Sequence, residues 1–211
     1  MTIVYDDVLQ WVRNFATEIS DNKQYLSKLD AAIGDGDHGT NMDRGMQAAL
    51  PKLEAVSGED VGAALKVVGM ALISKVGGAA GPLYGTLFLQ LGSASAGKSE
   101  LSAHDWSSAL ESAVKGVQAR GKADPGDKTM IDALVPARDA FIDAVESGAS
   151  LGDALERSSD AAKDGMEATI PLVARKCRAS YLCERNAGQQ DPGATSSHML
   201  LRIAAETWKN S

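Results

Sequence analysis

A chain of 211 residues that is 44% hydrophobic and 23% charged is long enough for one well-filled core, and a single domain over residues 1–211 is expected. A net charge of −7, with no run of Lys or Arg interleaved with aromatics, excludes nucleic acid as a partner. Met1 to Asp7 show no leader pattern, no apolar run is long enough to cross a membrane, and two cysteines are too few for a disulfide scaffold, so a cytoplasmic protein without a membrane partner is expected.

In chain order, Val8, Trp11, Val12, Phe15 and Ile19 mark one face of a first helix. It runs into Asp-Ala-Ala-Ile-Gly-Asp-Gly-Asp-His-Gly-Thr-Asn-Met, Asp30 to Met42, where three carboxylates crowd a glycine-rich turn. Carboxylates this close repel one another unless a cation lies between them, and they suit a hard, oxygen-seeking ion such as Mg2+. The anion most often held by Mg2+ in enzymes is a phosphate. Amides of Gly39, Thr40 and Asn41, at the start of the next helix, would add an anion site beside the metal.

Other readings of this segment compete. Gly34 to Gly39 matches G-x-G-x-x-G, yet no strand precedes it and its variable positions carry two acids that would repel a pyrophosphate. Asp35 and Asp37 have the first spacings of a calcium loop, but Gly39 and Met46 stand where later ligands belong. A solvated turn with Asp37 as helix N-cap stays open. His38 could act as general base or phosphate donor, although a histidine at a helix start more often bonds locally.

Helical spacing returns at Val61, Leu65, Val68 and Leu72, followed by a small-residue loop, Gly77 to Gly85. Thr86 to Leu91 could be a strand on composition, and Gly92 to Ser99 satisfies the P-loop expression G-x-x-x-x-G-K-[ST]. A working P-loop needs a parallel sheet and a second strand ending in Asp, and neither pattern is visible. Trp106, Leu110, Ala113, Val114 and Val117 form the next helical face, then comes the loop Gly121 to Thr129. Leu134, Phe141, Ile142 and Val145 follow, and Pro136 and Pro171 are expected to kink or shorten their helices. Arg175, Lys176, Arg178 and Arg185 concentrate positive charge in an acidic protein, which suits an anionic ligand or an acidic partner surface, with a solvated helix face as the plainer alternative. Cys177 and Cys183 lie among these cations, where a lowered thiol pKa is conceivable. The loop Gly188 to Thr195 leads to a last helix marked by Leu201, Ala204, Ala205 and Trp208. The fold class is therefore all-α, with seven to nine helices whose glycine-rich loops could meet at one end of a bundle around a nucleotide.

Four blocks, Asp30 to Met42, Gly77 to Thr86, Arg120 to Asp132 and Arg175 to Thr195, resemble in order and spacing the nucleotide-binding L subunit of dihydroxyacetone kinase. The resemblance covers nearly the whole chain. It implies a closed barrel of eight antiparallel helices with ADP or ATP at one end. It further implies that Asp30, Asp35 and Asp37 hold two Mg2+ ions, and that His38, Gly39, Thr40 and Asn41 wrap the phosphates with Ala79 and Ala80 close by. Gly121, Met130, Arg178 and the turn Asp191-Pro192-Gly193 would line the adenine and ribose. No protein nucleophile or other catalytic side chain is implied, since metal and amides would carry the phosphoryl transfer. The family's substrate-binding domain is missing, so the resemblance implies a separate K subunit that presents dihydroxyacetone. It also implies recharging by a phosphohistidine protein of the sugar phosphotransferase system, with freely exchanging ATP, another short ketose or a non-catalytic adaptor role as alternatives. The family usually has glycine where this chain has Cys177 and Cys183.

Overall fold

In the computed structural model, which describes residues 2–209, almost all regular structure is helical. The helices are α1 (Tyr5–Ile33), α2 (His38–Glu54), α3 (Val61–Lys75), α4 (Ala80–Ala94), α5 (Ala103–Gly121), α6 (Ile131–Glu146), α7 (Leu151–Ala168) and α8 (Pro192–Trp208). A 3-10 helix spans Arg178–Asn186, and two dipeptides, β1 (Ile3–Val4) and β2 (Glu100–Leu101), pair antiparallel. Each helix packs on the next, and α8 packs back on α1, so the neighbour relations close into a ring. Short connections from α1 through α7 send successive packed helices in opposite directions, and a longer segment, residues 169–191, leads from α7 to α8.

One apolar core runs from Ile3 to Trp208 and contains the residues on each of the predicted helical faces except Ile142 and Ala205, which are only partly buried. It culminates in three tryptophans from three distant stretches of chain. Trp11 meets Trp106 and Trp208 at ring-centroid distances of 5.6 and 5.0 Å, and Trp106 meets Trp208 edge-on at 4.9 Å. Two of their nitrogens are hydrogen-bonded, Trp11 Nε1 donating to Leu200 O and Trp208 Nε1 to Asp7 O.

Three local expectations change. Thr86 to Leu91 is helical, within α4, because its buried residues Leu87, Phe88 and Leu91 recur at helical rather than alternate spacing. The P-loop string falls on the end of α4 and the turn after it, where Lys98 pairs with Asp105 at 3.1 Å instead of facing a phosphate site. Pro136 is accommodated inside α6 without ending it, whereas Pro171 lies beyond α7, which stops at Ala168.

Candidate functional site

The alternating helix directions bring the ends of α1, α3, α5 and α7 together with the starts of α2, α4, α6 and α8. At this end lies a cavity of about 530 Å3. The four glycine-rich loops read from the sequence all contribute to its wall, as do Lys176, Cys177 and Arg178. Of the expected site residues, Asp30, Asp35, Asp37, His38, Asn41, Ala79, Ala80, Gly121, Met130, Arg178, Asp191, Pro192 and Gly193 line it, and Gly39 and Thr40 do not. Gly39 is buried against α1, where a Cβ would stand 2.0 Å from Lys23 O, so its small size serves helix packing.

Oxygens of Asp30, Asp35 and Asp37 lie within 4.8 Å of one another. Asp30 Oδ2 accepts the amides of Asp37 (2.9 Å) and His38 (3.2 Å), which fixes the turn. Burial raises the Asp30 pKa, those two amides oppose the rise, and the like charges of Asp35 and Asp37 add to it. Asp37 stands at the N-cap of α2 in αR geometry and makes no cap hydrogen bond, so the capping alternative fails and its exposed carboxylate stays free. The donors are hard, anionic and convergent, a set that fits Mg2+. Across the cavity Arg178 pairs with Asp35.

Of the three amides expected to hold an anion, only that of Gly39 makes no hydrogen bond among the described residues. The His38 amide is taken by Asp30, the Thr40 amide by Ser27 Oγ (3.3 Å) and the Asn41 amide by Asp37 O (2.8 Å). At the start of α4, by contrast, the amides of Ala79, Ala80 and Gly81 make no hydrogen bond among the described residues, and no acid occupies the first turn. A helix start with free amides and no compensating acid attracts anions. The second glycine-rich loop thus adds open donors to that of Gly39.

His38 is not placed to relay protons. Its Nε2 meets Ser196 Oγ at 2.9 Å, and Ser196 in turn meets the buried Tyr84 hydroxyl at 2.7 Å, a chain that ties α2, α4 and α8 together beneath the cavity. Burial pulls the His38 pKa down to about 4 and pushes Tyr84 up to about 12, which keeps both neutral. The Cys177 thiol pKa is raised, not lowered, by burial and by the Asp191 and Asp30 charges, against the pull of Lys176. Asp191 caps α8 by accepting the Ala194 amide at 2.7 Å, and burial pushes its pKa up to about 7.

The lining also contains residues that pattern reading left unassigned. Leu83, Val117 and Ile131 add an apolar wall beside Met130 that suits a flat ring, and Lys176 adds a cation that also reaches Asp127 at 3.9 Å. Lys176 belongs to the basic cluster legible in the sequence and Val117 to a helical face, whereas Leu83 and Ile131 carry no signal of their own. The expected basic segment is irregular: a 3-10 turn interrupted at Cys183, rather than a solvated helix face.

Residues 32–206 match the family model described as the DAK2 domain. The chain is 40% identical to the "PEP-dependent dihydroxyacetone kinase, ADP-binding subunit DhaL" of Escherichia coli, covering 97% of this chain and 98% of that one. It is 39% identical to the "PTS-dependent dihydroxyacetone kinase, ADP-binding subunit DhaL" of Lactococcus lactis, again over 97% and 98%. Among solved structures, the dihydroxyacetone kinase of C. freundii in complex with AMP-PNP and Mg2+ superposes with a TM-score of 0.70 at 26% identity, over 94% of this chain but only 33% of the longer kinase.

Proposed function

The chain belongs to the DAK2-domain family, among the ADP-binding subunits of dihydroxyacetone kinases, and from that premise we propose that it presents a Mg2+-bound adenine nucleotide to a ketose held on a separate K subunit. Asp30, Asp35 and Asp37 hold two Mg2+ ions against the phosphates, while the free amides of Ala79 and Ala80 bind the phosphate oxygens. The Arg178 guanidinium joins them, since its pairing with Asp35 favours the phosphate side over the adenine and ribose where the resemblance put it. Gly121, Met130 and the Asp191 to Gly193 turn receive the ribose and base. Mg2+ held there neutralises charge that spreads over the phosphate oxygens during transfer. The chain's own part is positioning, since no side chain of the cavity is placed as a nucleophile or proton acceptor.

The terminal phosphate passes to dihydroxyacetone, and a phosphohistidine protein of the sugar phosphotransferase system recharges the bound ADP. This is favoured over the exchanging type because the chain matches free-standing subunits over their whole length, at higher identity than the solved multidomain kinase. The expected setting is cytoplasmic, in keeping with the absence, among the described residues, of any helix long and apolar enough to cross a membrane.

The observation that carries the proposal is the convergence of three carboxylates within 4.8 Å at the rim of a cavity that four helix starts face. Mass spectrometry of nucleotide released from the purified chain should find stoichiometric ADP, and addition of a K subunit, dihydroxyacetone and a phosphoryl donor should yield ketose phosphate. Asp35→Asn and Asp37→Asn should each lower metal-dependent nucleotide affinity by about 100-fold, or about 2.7 kcal/mol. Retention undiminished in both variants would refute the metal assignment.

A further inference from the structure

Among the described residues Lys128 is the one large charged side chain that the fold buries completely, at 2% exposure, and it does so from a left-handed backbone position with φ of +61°. A buried ammonium is expensive unless its hydrogen-bond capacity is filled. Here no carboxylate lies within ion-pairing distance among the described residues, and Asp191 attracts it only from farther away. Its Nζ instead donates to three main-chain carbonyls, Asn186 O at 2.7 Å, Leu172 O at 2.9 Å and Ile170 O at 3.4 Å.

All three carbonyls belong to the irregular segment between α7 and α8, the segment that puts Lys176, Cys177 and Arg178 on the cavity wall. The turn that bears Lys128 holds the segment elsewhere as well, because Asp127 O accepts the Arg175 amide at 3.1 Å. Asn186, fully buried, cross-braces the same loop by accepting from Ala174 N at 2.8 Å and donating to Ala179 O and Cys183 O. With the 3-10 turns of Arg178–Asn186 as its only regular structure among the described residues, the segment is held against the fold largely by these two side chains.

We propose that Lys128 is a positioning residue for nucleotide binding, whose buried ammonium gathers the 170–186 segment and so sets where Arg178 stands against the phosphates. The inference rests on the nucleotide reading above. It predicts that Lys128 acts on the nucleotide through Arg178 and not merely through overall stability.

A double-mutant cycle separates the two, with dissociation of a fluorescent ADP analogue measured in the presence of Mg2+. Lys128→Met should release the analogue at least about tenfold faster than the unsubstituted chain, and on an Arg178→Ala background the same change should add less than about twofold. Equal release by Lys128→Met and the unsubstituted chain would overturn the inference, as would the same tenfold penalty on both backgrounds. If Lys128→Met does not fold, Asn186→Ala is held to the same criteria. Hydrogen exchange on the unsubstituted chain needs no variant, and there the Ala174 and Arg175 amides should exchange slowly; exchange at the rate of an open loop would show that no clamp exists. If the unsubstituted chain fails to retain the analogue, the nucleotide reading falls and takes the positioning role with it, a result distinct from retention that Lys128→Met leaves unchanged.

Discussion

The helices that start at the tryptophan end and those that start at the cavity end are finished differently. At the tryptophan end, Asp7 accepts the Val4 amide before α1, Asp60 caps α3, Ser102 and Asp105 form a reciprocal capping box on α5, and Ser150 caps α7. At the cavity end, α2, α4 and α6 have no side-chain cap at their first residue, and only α8 is capped, by Asp191. Side chains of Asp30 and Ser27 take first-turn amides of α2, and that of Thr129 takes one of α6, so the cost of about 1 kcal/mol for a missing cap falls on α4. Backbone geometry divides the same way. Left-handed positions at the tryptophan end, Gly58, Gly97 and Gly148, are all glycine, whereas the cavity end has Lys122, Lys128, Cys177 and Cys183 there beside Gly36, Gly78, Gly126 and Gly188. One end is built for stability, and the other leaves donors open and backbone strained where a ligand can repay the cost.

The largest effect expected from this division falls on the tryptophan end. Trp11 is fully buried and touches Phe88, Trp106 and Trp208, so Trp11→Ala should lower unfolding free energy by about 3–5 kcal/mol and the melting temperature by about 10 °C. Calorimetry measures the loss. The folded fraction should still bind Mg2+ and nucleotide with near-normal affinity, because about 28 Å of helix separates Trp11 from Asp30. A parallel collapse of affinity would erase the distinction between the two ends.

Much of this division was legible in the sequence. The apolar spacing of Val8, Trp11, Val12, Phe15 and Ile19 identified α1 because periodicity is a local property, and the acidic turn announced itself through charge density alone. What stayed hidden depends on contacts between distant residues. Nothing near Thr40 in the chain shows that Ser27 Oγ will occupy its amide, so three donors were expected on α2 where only Gly39 stays open, and the further open amides belong to α4. Lys128 reads as a surface charge, since a lysine's burial is decided by carbonyls contributed more than forty residues later. The strand reading of Thr86 to Leu91 failed because composition was weighed over too short a window to reveal helical spacing.

A second, smaller effect concerns pH at the cavity end. Burial pulls His38 from its ordinary value of 6.5 to about 4, so the unfolded chain binds the proton more readily than the folded one. The neutral imidazole therefore contributes stability that is complete above pH 6.5 and is lost as pH falls through 4. Asp191 acts with the opposite sign. Its pKa is raised to about 7, so its contribution favours the fold at low pH and declines as pH rises through 7. His38→Gln, which can still hydrogen-bond Ser196, should remove the acid-side loss and flatten the stability profile between pH 6.5 and 4 by about 1–2 kcal/mol. Urea titrations at several pH values measure the slope, and an unchanged profile would mean that the His38–Ser196–Tyr84 chain tolerates the charged imidazole.

The smallest effect tests the strain itself. Cys177 has φ of 57° and ψ of −165°, and Cys183 has φ of 50° and ψ of −135°, conformations that favour glycine because a Cβ crowds the adjoining carbonyl. Such strain costs about 1–3 kcal/mol, while glycine loses about 0.5–1 kcal/mol in chain entropy, so Cys177→Gly should stabilise the ligand-free protein by about 1 kcal/mol. A glycine at Cys183 should act in the same direction, because its φ is also positive and its thiol is free. The substitutions bear on the site as well as on stability, since Cys177 immediately precedes Arg178 and relaxing its backbone changes how firmly the guanidinium is aimed across the cavity at Asp35. Faster nucleotide release from a more stable Cys177→Gly protein would show that the strain helps fix Arg178. A stabilised variant with unaltered release would leave the clamp made by Lys128 and Asn186 as what positions it, whereas a destabilised variant would mean that the Cys177 side chain makes contacts worth more than the strain it imposes.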